Sequence, residues 1–411
     1  MTDTVFTIED VRTLDACDPL ATFREQFELP EGVIYLDGNS LGPLPRSAPG
    51  RIAGVVTGQW GRSLIRSWND HDWIGAPARI GDKIATLTGA GPGEVIVADS
   101  TSVNLFKLLA ALVRLHSGRS EIVTESGNFP TDLHIAEGVA ELLGKRLVAV
   151  PVEALPDAIG PDTAAVVLSH VHYRSSFRHD MKAISARARA AGTHVIWDLS
   201  HSVGAVPLAL NQDGAELAIG CGYKYLNGGP GAPAFLYVSS QLQPRMVSPI
   251  RGWMGHAAPF EFDDLYVPAP GIGRFLAGTP PILGLAALEA GIDLMMAADQ
   301  QVMFEKSRRL FDLFAVLMAA RCPEFRLVSP RDAGQRGSHI AYAHPQASAI
   351  MNALIARGVI GDFRAPDVLR FGLTPLTLRH EDIWNAVDVL AEIMKHGSWR
   401  YPCFARTGRV T

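Results

Sequence analysis

One lysine, Lys224, stands between Tyr223 and Tyr225, directly after the apolar run Leu217, Ala218, Ile219 and directly before the turn Asn227-Gly228-Gly229-Pro230-Gly231. The glycines permit φ > 0 and close backbone approach, so this segment is able to turn its lysine inward toward a bound group. The chemistry open to such a lysine is Schiff-base formation with a carbonyl. A surface lysine on a hairpin turn fits the segment equally well. The decision rests on the other polar residues that end apolar runs. Asp198 follows an apolar stretch at 194–197 and leads into Leu199-Ser200-His201-Ser202-Val203-Gly204. An aspartate leaving a buried strand costs several kcal/mol unless it meets a cation or hydrogen-bond donors. Ser100-Thr101-Ser102-Val103-Asn104 puts hydroxyls at the start of a helical pattern, which makes a phosphate seat or an ordinary N-cap. Ser126-Gly127-Asn128-Phe129-Pro130-Thr131-Asp132 offers an aromatic to stack on a flat ring and an acid at a helix start. Ser169 ends another apolar run and leads into the polar loop 170–176. A phosphate seat, a ring stacker, an acid for a ring nitrogen and a lysine 26 residues beyond that acid are what pyridoxal 5'-phosphate asks of a protein. A metal at Asp198 and His201 is disfavoured, because no other acid or histidine nearby completes a ligand set. No Gly-x-Gly-x-x-Gly or Walker loop is present, which argues against a nucleotide enzyme.

These residues need a scaffold that brings strand ends together. Apolar strands are expected at 94–98, 121–124, 147–150, 164–169, 194–197, 217–219 and 234–238, with helical patterns at 104–115, 131–143 and 181–191. Continuous apolar strands with helical crossovers predict an α/β fold with a mostly parallel seven-stranded sheet covered on both faces. Ligands on such sheets bind at the carboxyl ends of the strands. Before the sheet, 33–43 reads as a short strand running into a turn, and 47–87 reads as helical with an interruption at 67–73. That interruption, with Trp68, His71 and Trp73, is either a substrate wall or a loop whose tryptophans plug the core. After Gly278-Thr279-Pro280-Pro281 a single long helix is expected over 281–320. The remainder reads as a smaller α+β unit with strands at 325–328, 339–343 and 368–371 and helices at 347–357 and 381–395. The expected organisation is an arm and loop at 1–45, a large cofactor-binding domain at 46–280, and a linking helix with a small C-terminal domain at 281–411.

Composition narrows the class. The chain has 411 residues, enough for two domains, and is 47% hydrophobic and 19% charged, as a soluble α/β enzyme would be. A net charge of -5 without a basic stripe argues against nucleic acid as a partner. No stretch stays apolar long enough to span a membrane, and a cytoplasmic location is the expectation. Cys17, Cys221, Cys322 and Cys403 form no CxxC pair, which suits a reducing compartment.

The order of Leu36-Asp37-Gly38-Asn39-Ser40-Leu41-Gly42, Phe129-Pro130-Thr131-Asp132, Asp198-Leu199-Ser200-His201-Ser202-Val203-Gly204, Tyr223-Lys224-Tyr225-Leu226-Asn227, Gly252-Trp253-Met254-Gly255-His256 and Thr279-Pro280-Pro281-Ile282 resembles kynureninase, over about residues 30 to 385. The resemblance implies an aminotransferase-like fold and a homodimer with shared active sites. It also implies pyridoxal-phosphate-dependent hydrolysis of L-kynurenine, or its 3-hydroxy form, to anthranilate (or its 3-hydroxy form) and L-alanine in tryptophan degradation. Carried over by position, it makes Lys224 the Schiff-base lysine, Asp198 the pyridinium partner and Phe129 the ring stacker. Thr101, Ser102, Thr131, Asp132, Ser169, His201 and Tyr223 line the cofactor, with Tyr223 also a candidate acid or base. Trp253 and Thr279 reach the phosphate from the neighbouring subunit; some members carry asparagine at the latter position. Arg370 matches the arginine for the substrate carboxylate, and Asn39, Trp68 and His71 are candidates for the substrate pocket. The loop 170–176 departs from the family pattern, which leaves its contacts open. A cysteine desulfurase or class V aminotransferase of the same fold is the nearest rival, and a non-catalytic binder that kept the fold is a more distant one.

Overall fold

In the computed structural model, which describes residues 6–405, the large sheet has seven strands: β1 (Val95–Val97), β2 (Glu121–Glu125), β3 (Arg146–Val150), β4 (Thr163–Ser169), β5 (Val195–Asp198), β6 (Leu217–Gly220) and β7 (Phe235–Val238). Their order across the sheet is β1-β7-β6-β5-β4-β2-β3. All the pairs from β6 to β3 are parallel, and β7 runs antiparallel to both of its neighbours. β4 is buried along its whole length. Its alternate residues enter two different cores, Val166 and Leu168 on one face and Ala165 and Val167 on the other, as the period of two along a strand requires. One core is closed by helices α2 (Thr101–Leu115) and α3 (Pro130–Leu142), the other by α1 (Ala76–Thr88), α4 (Met181–Ala190) and α5 (Ile282–Ala297).

The single long helix expected over 281–320 is two helices, α5 and α6 (Gln300–Arg321). Apolar periodicity continues through the break, but the Asp299 carboxylate accepts from the Gln301 and Val302 amides at 2.8 and 3.0 Å and starts a new helix. The segment at 47–87 is helical as expected, with its break at 71–75 where 67–73 was expected. Ala48–Ala53 runs into a wide helix at Gly54–Ser63 and a short turn at Ser67–Asp70, so helical structure extends into the supposed interruption.

A second sheet holds β8 (Arg326–Leu327), β9 (His339–Ala343), β10 (Asp362–Arg364) and β11 (Val368–Gly372) in the order β8-β9-β11-β10, all antiparallel. Helices α6, α7 (Ala347–Ala356) and α8 (His380–His396) pack a third core against it. β10 escaped the sequence reading, because Asp362-Phe363-Arg364 carries two charges in three residues. The N-terminal segment joins this unit. Val11 and Leu36 lie in its core, and Ile34–Tyr35 pairs in parallel with Val359–Ile360. The Asp15 carboxylate accepts from the His380 and Glu381 amides at 2.7 and 2.9 Å, capping α8. Asp18 meets buried Lys306 at 2.6 Å, a pairing that offsets the cost of burying both charges.

Candidate active site

The loop that follows β6 carries Lys224 and is packed from both sides. Gly42 donates its amide to the Tyr223 carbonyl at 2.8 Å, and a side chain at position 42 would collide with the Lys224 carbonyl and Asn227. Asn227 takes φ 56, a conformation asparagine tolerates. Held in this way, Lys224 is 9% exposed, so the surface alternative fails. Its ammonium lies 3.1 Å from His201 Nε2, 5.7 Å from the centre of the Phe129 ring and 5.8 Å from that of Tyr223. Burial, and then the Lys224 charge, hold His201 well below the usual imidazole range. A neutral His201 accepting through Nε2 carries its hydrogen on Nδ1, and that atom is buried without a partner among the described residues.

β5 ends on Asp198, whose carboxylate accepts from the Ser200 amide at 2.8 Å. Asp132, in the first turn of α3, is buried and hydrogen-bonded to Asp198. Burial, and then the Asp198 charge, push the Asp132 carboxyl well above the usual range. Two carboxyl groups in contact cannot both ionise cheaply, so the pair holds one proton and one negative charge. Ser169, at the end of β4, donates to Asn128 Oδ1 at 2.7 Å and lies 3.5 Å from Asp132 Oδ2. Thr101 and Ser102 open α2, where backbone N–H groups lack intrahelical acceptors. Thr131 is half-buried beside Asp132. Tyr223 is half-buried, and burial raises its hydroxyl pKa. Parallel strands therefore deliver Asp132, Ser169, Asp198, His201 and Lys224 to one edge of the sheet.

Arg370, on β11, is 1% exposed. Its Nε donates to Asp362 Oδ1 at 2.9 Å and its Nη2 donates to the other Asp362 oxygen and to Ser40 Oγ, while Nη1 donates to the Tyr173 carbonyl at 2.5 Å. The fork expected to grip a ligand thus faces Asp362, and one Nη1 N–H of the five is left for another acceptor. Arg364 shares the same carboxylate at 2.7 Å. Asp37 is buried next to it, and burial followed by the Asp362 charge pushes its carboxyl up to about 7. The loop 170–176 joins the two halves of the site. The Tyr173 ring stands edge-on to Phe129 at 5.3 Å, while its carbonyl holds Arg370.

Asn39 is fully buried, packed over Gly372. Other expected residues interact with near neighbours in the chain. Trp68 is edge-on to Trp73 at 5.7 Å, and exposed His71 bonds Ser63 at 3.0 Å. Trp253 and Thr279 face solvent, and Trp253 meets the rings of Phe260 and Phe262 at 5.5 and 6.4 Å. Sequence reasoning missed Asp37, His339, Asp362 and Arg364. The only signal was a polar residue inside or beside an apolar strand, more than 100 positions from Lys224. Among the described residues no cluster of three or more His, Cys, Asp or Glu could hold a metal ion.

Comparison with known proteins shows what this architecture belongs to. Residues 303–390 match the kynureninase C-terminal domain family. The chain is 49% identical to a kynureninase of Pseudomonas fluorescens and 48% identical to one of Burkholderia pseudomallei (strain 1106a), in each case over 98% of this chain and 100% of the relative. Among solved structures, a C-DES mutant with glycine covalently linked to its PLP cofactor superposes with TM-score 0.80 at 18% identity, covering 90% of this chain and 99% of that one. The Escherichia coli cysteine desulfurase CsdA superposes with TM-score 0.78 at 20% identity, covering 92% and 98%. These two structures share the aminotransferase-like fold, whereas the full-length relatives share the sequence as well, and the chain belongs to the kynureninase family.

Proposed function

We propose that this protein hydrolyses L-kynurenine to anthranilate and L-alanine with pyridoxal 5'-phosphate, the cofactor being held by Lys224. The observation that carries the reading is the inward Lys224, 3.1 Å from a neutral His201 and beneath Phe129, beside the buried Asp132–Asp198 pair. The residues fit the cofactor. A carboxyl pair with one negative charge suits a protonated pyridine nitrogen, the Phe129 ring suits its face, and the start of α2 suits a phosphate. When bound, the cofactor supplies an electron sink for a carbanion at the amino acid α-carbon.

The chain's own groups supply the rest. Lys224 would hold the cofactor and would take the α-proton, and neutral His201 beside it would accept a hydrogen bond from the resulting ammonium. Asp198, steadied by Asp132, keeps the proton on the ring nitrogen. Thr101, Ser102 and Ser169 orient the cofactor, with Thr131 alongside. Tyr223 binds the phosphate and moves a proton at the substrate γ-carbonyl. Arg370 binds the α-carboxylate through its remaining N–H, and Asn39, Trp68 and His71 contribute to the substrate pocket. The reading includes a homodimer in which Trp253 and Thr279 complete the partner's site. Their exposure, with Phe260 and Phe262 beside Trp253, supports it. It also includes a place in tryptophan degradation in the cytoplasm, in keeping with four unpaired cysteines. A desulfurase needs a mobile thiolate in an active-site loop, whereas Cys322 is buried, with burial pushing its thiol up to about 12, and exposed Cys403 sits on the short turn Pro402–Phe404.

The test is fluorescence detection of anthranilate from L-kynurenine by cofactor-loaded protein. Wild type should release it, and Lys224→Ala should lose both release and covalent cofactor retention. Full turnover in the variant, or none in wild type, overturns the reading.

A further inference from the structure

His339 opens β9 and is fully buried, yet neither ring nitrogen has a partner among the described residues. A buried polar atom without a hydrogen bond is costly and rare, and two on one ring call for an explanation. The sheet register says what surrounds it. His339 pairs with Gly372 and Ala341 pairs with Arg370 across β9 and β11. Paired residues project to the same face, and so do residues two apart on a strand. His339 and Arg370 therefore rise from one face at diagonal positions, and only Ala341 and Gly372 lie between them. Asn39 leans over Gly372 so closely that any side chain there would collide with its amide, and both ends of that amide also lack partners. On the far side, the His201 ring that contacts Lys224 lies 5.5 Å from the His339 ring at 57°.

We propose that His339 is a substrate-binding residue that hydrogen-bonds the α-carboxylate of the bound amino acid alongside Arg370. This rests on the function proposed above, because that carboxylate is the anion which the reaction brings beside Arg370. Arg370 has one N–H free after serving Asp362, Ser40 and Tyr173, so a carboxylate with two oxygens needs a second donor. His339 is suited to supply it as a neutral ring. Burial, and then the Arg370 charge, hold its pKa well below the usual range, and a neutral imidazole offers one donor and one acceptor. The acceptor nitrogen is free for the Asn39 amide. Among the described residues Asn39 is held by no side-chain hydrogen bond, so its side chain can give way to a ligand without breaking one.

The experiment compares L-alanine with L-alaninamide, which keeps the amine and lacks the carboxylate. Each is titrated into cofactor-loaded protein and followed by the cofactor absorption band. Wild type should prefer L-alanine. His339→Phe keeps the ring and removes both nitrogens, and should weaken L-alanine binding by roughly tenfold to a hundredfold, the worth of one hydrogen bond to a charged group, while leaving L-alaninamide unchanged. His339→Met repeats the deletion with a flexible side chain in case the phenyl ring does not pack. His339→Gln retains a donor and an acceptor and should keep the preference. The proposal is overturned if the two apolar variants prefer L-alanine as wild type does, if they lose both ligands equally, or if wild type shows no preference. Turnover of L-kynurenine by wild type is measured in parallel. Its absence overturns the proposed function and leaves the alanine comparison to decide the role of His339.

Discussion

Replacing Asp37 by asparagine should stabilise the protein above neutral pH and leave it unchanged in acid. Asp37 is 8% exposed, and its Oδ1 has no partner among the described residues. Its neighbour Asp362 is fully buried and bonded to Arg370 Nε at 2.9 Å, Arg364 at 2.7 Å and Ser40 at 2.8 Å. Burial works to raise the Asp362 pKa, but Arg370, Arg364 and Ser40 together outweigh it and hold that carboxyl below the ordinary value. The proton of the pair therefore sits on Asp37, whose carboxyl burial and the Asp362 charge raise from 3.8 to about 7. The sign follows from proton counts. Between about pH 4 and 7 the unfolded chain has released a proton that the native state keeps, so native stability falls as pH rises through that window. At about 1.4 kcal/mol per tenfold change in proton affinity, the displacement amounts to about 4 kcal/mol above pH 7. An asparagine side chain in place of Asp37 carries no charge at any pH, and its amide can donate to Asp362 as the protonated acid does. Urea unfolding at pH 4, 5.5 and 8 measures the effect. The Asp37→Asn advantage should be absent at pH 4 and grow to a few kcal/mol at pH 8. An advantage that does not change with pH, or a variant less stable than wild type at pH 8, refutes this account of the cluster.

Two further predictions concern the scaffold. Gly42→Ala would bring a Cβ within 2.8 Å of the Asn227 Cα and nearer still to the Lys224 carbonyl. The loop must then shift off the lysine segment at a cost of about 1–3 kcal/mol, and anthranilate release should fall together with melting temperature. Asp299→Ala removes the side chain that starts α6 and should cost about 1 kcal/mol, read by urea unfolding.

The sequence by itself determined the elements whose pattern is local. Apolar runs bounded by polar turns marked all seven strands of the large sheet, and the residues just beyond them, Asp198, Thr101 and Lys224, already suggested a cofactor site. This works because a parallel sheet sends its strand ends to one edge, so position along the chain implies position in space. One local reading failed where a single side chain reset the backbone, as at Asp299, and the helical reading of 47–66 held without foreseeing the wider turns at Gly54–Ser63. Tertiary structure alone decided what lies across from Lys224. Asp37, Asn39, His339, Asp362 and Arg370 come from two ends of the chain, and they meet only because Ile34–Tyr35 pairs with Val359–Ile360 and β11 lies between β9 and β10. Arg370 looks like an ordinary strand arginine until Asp362 is found on the neighbouring strand. No pattern of hydrophobicity encodes which buried polar group finds a partner, since that depends on contacts between residues more than 300 positions apart.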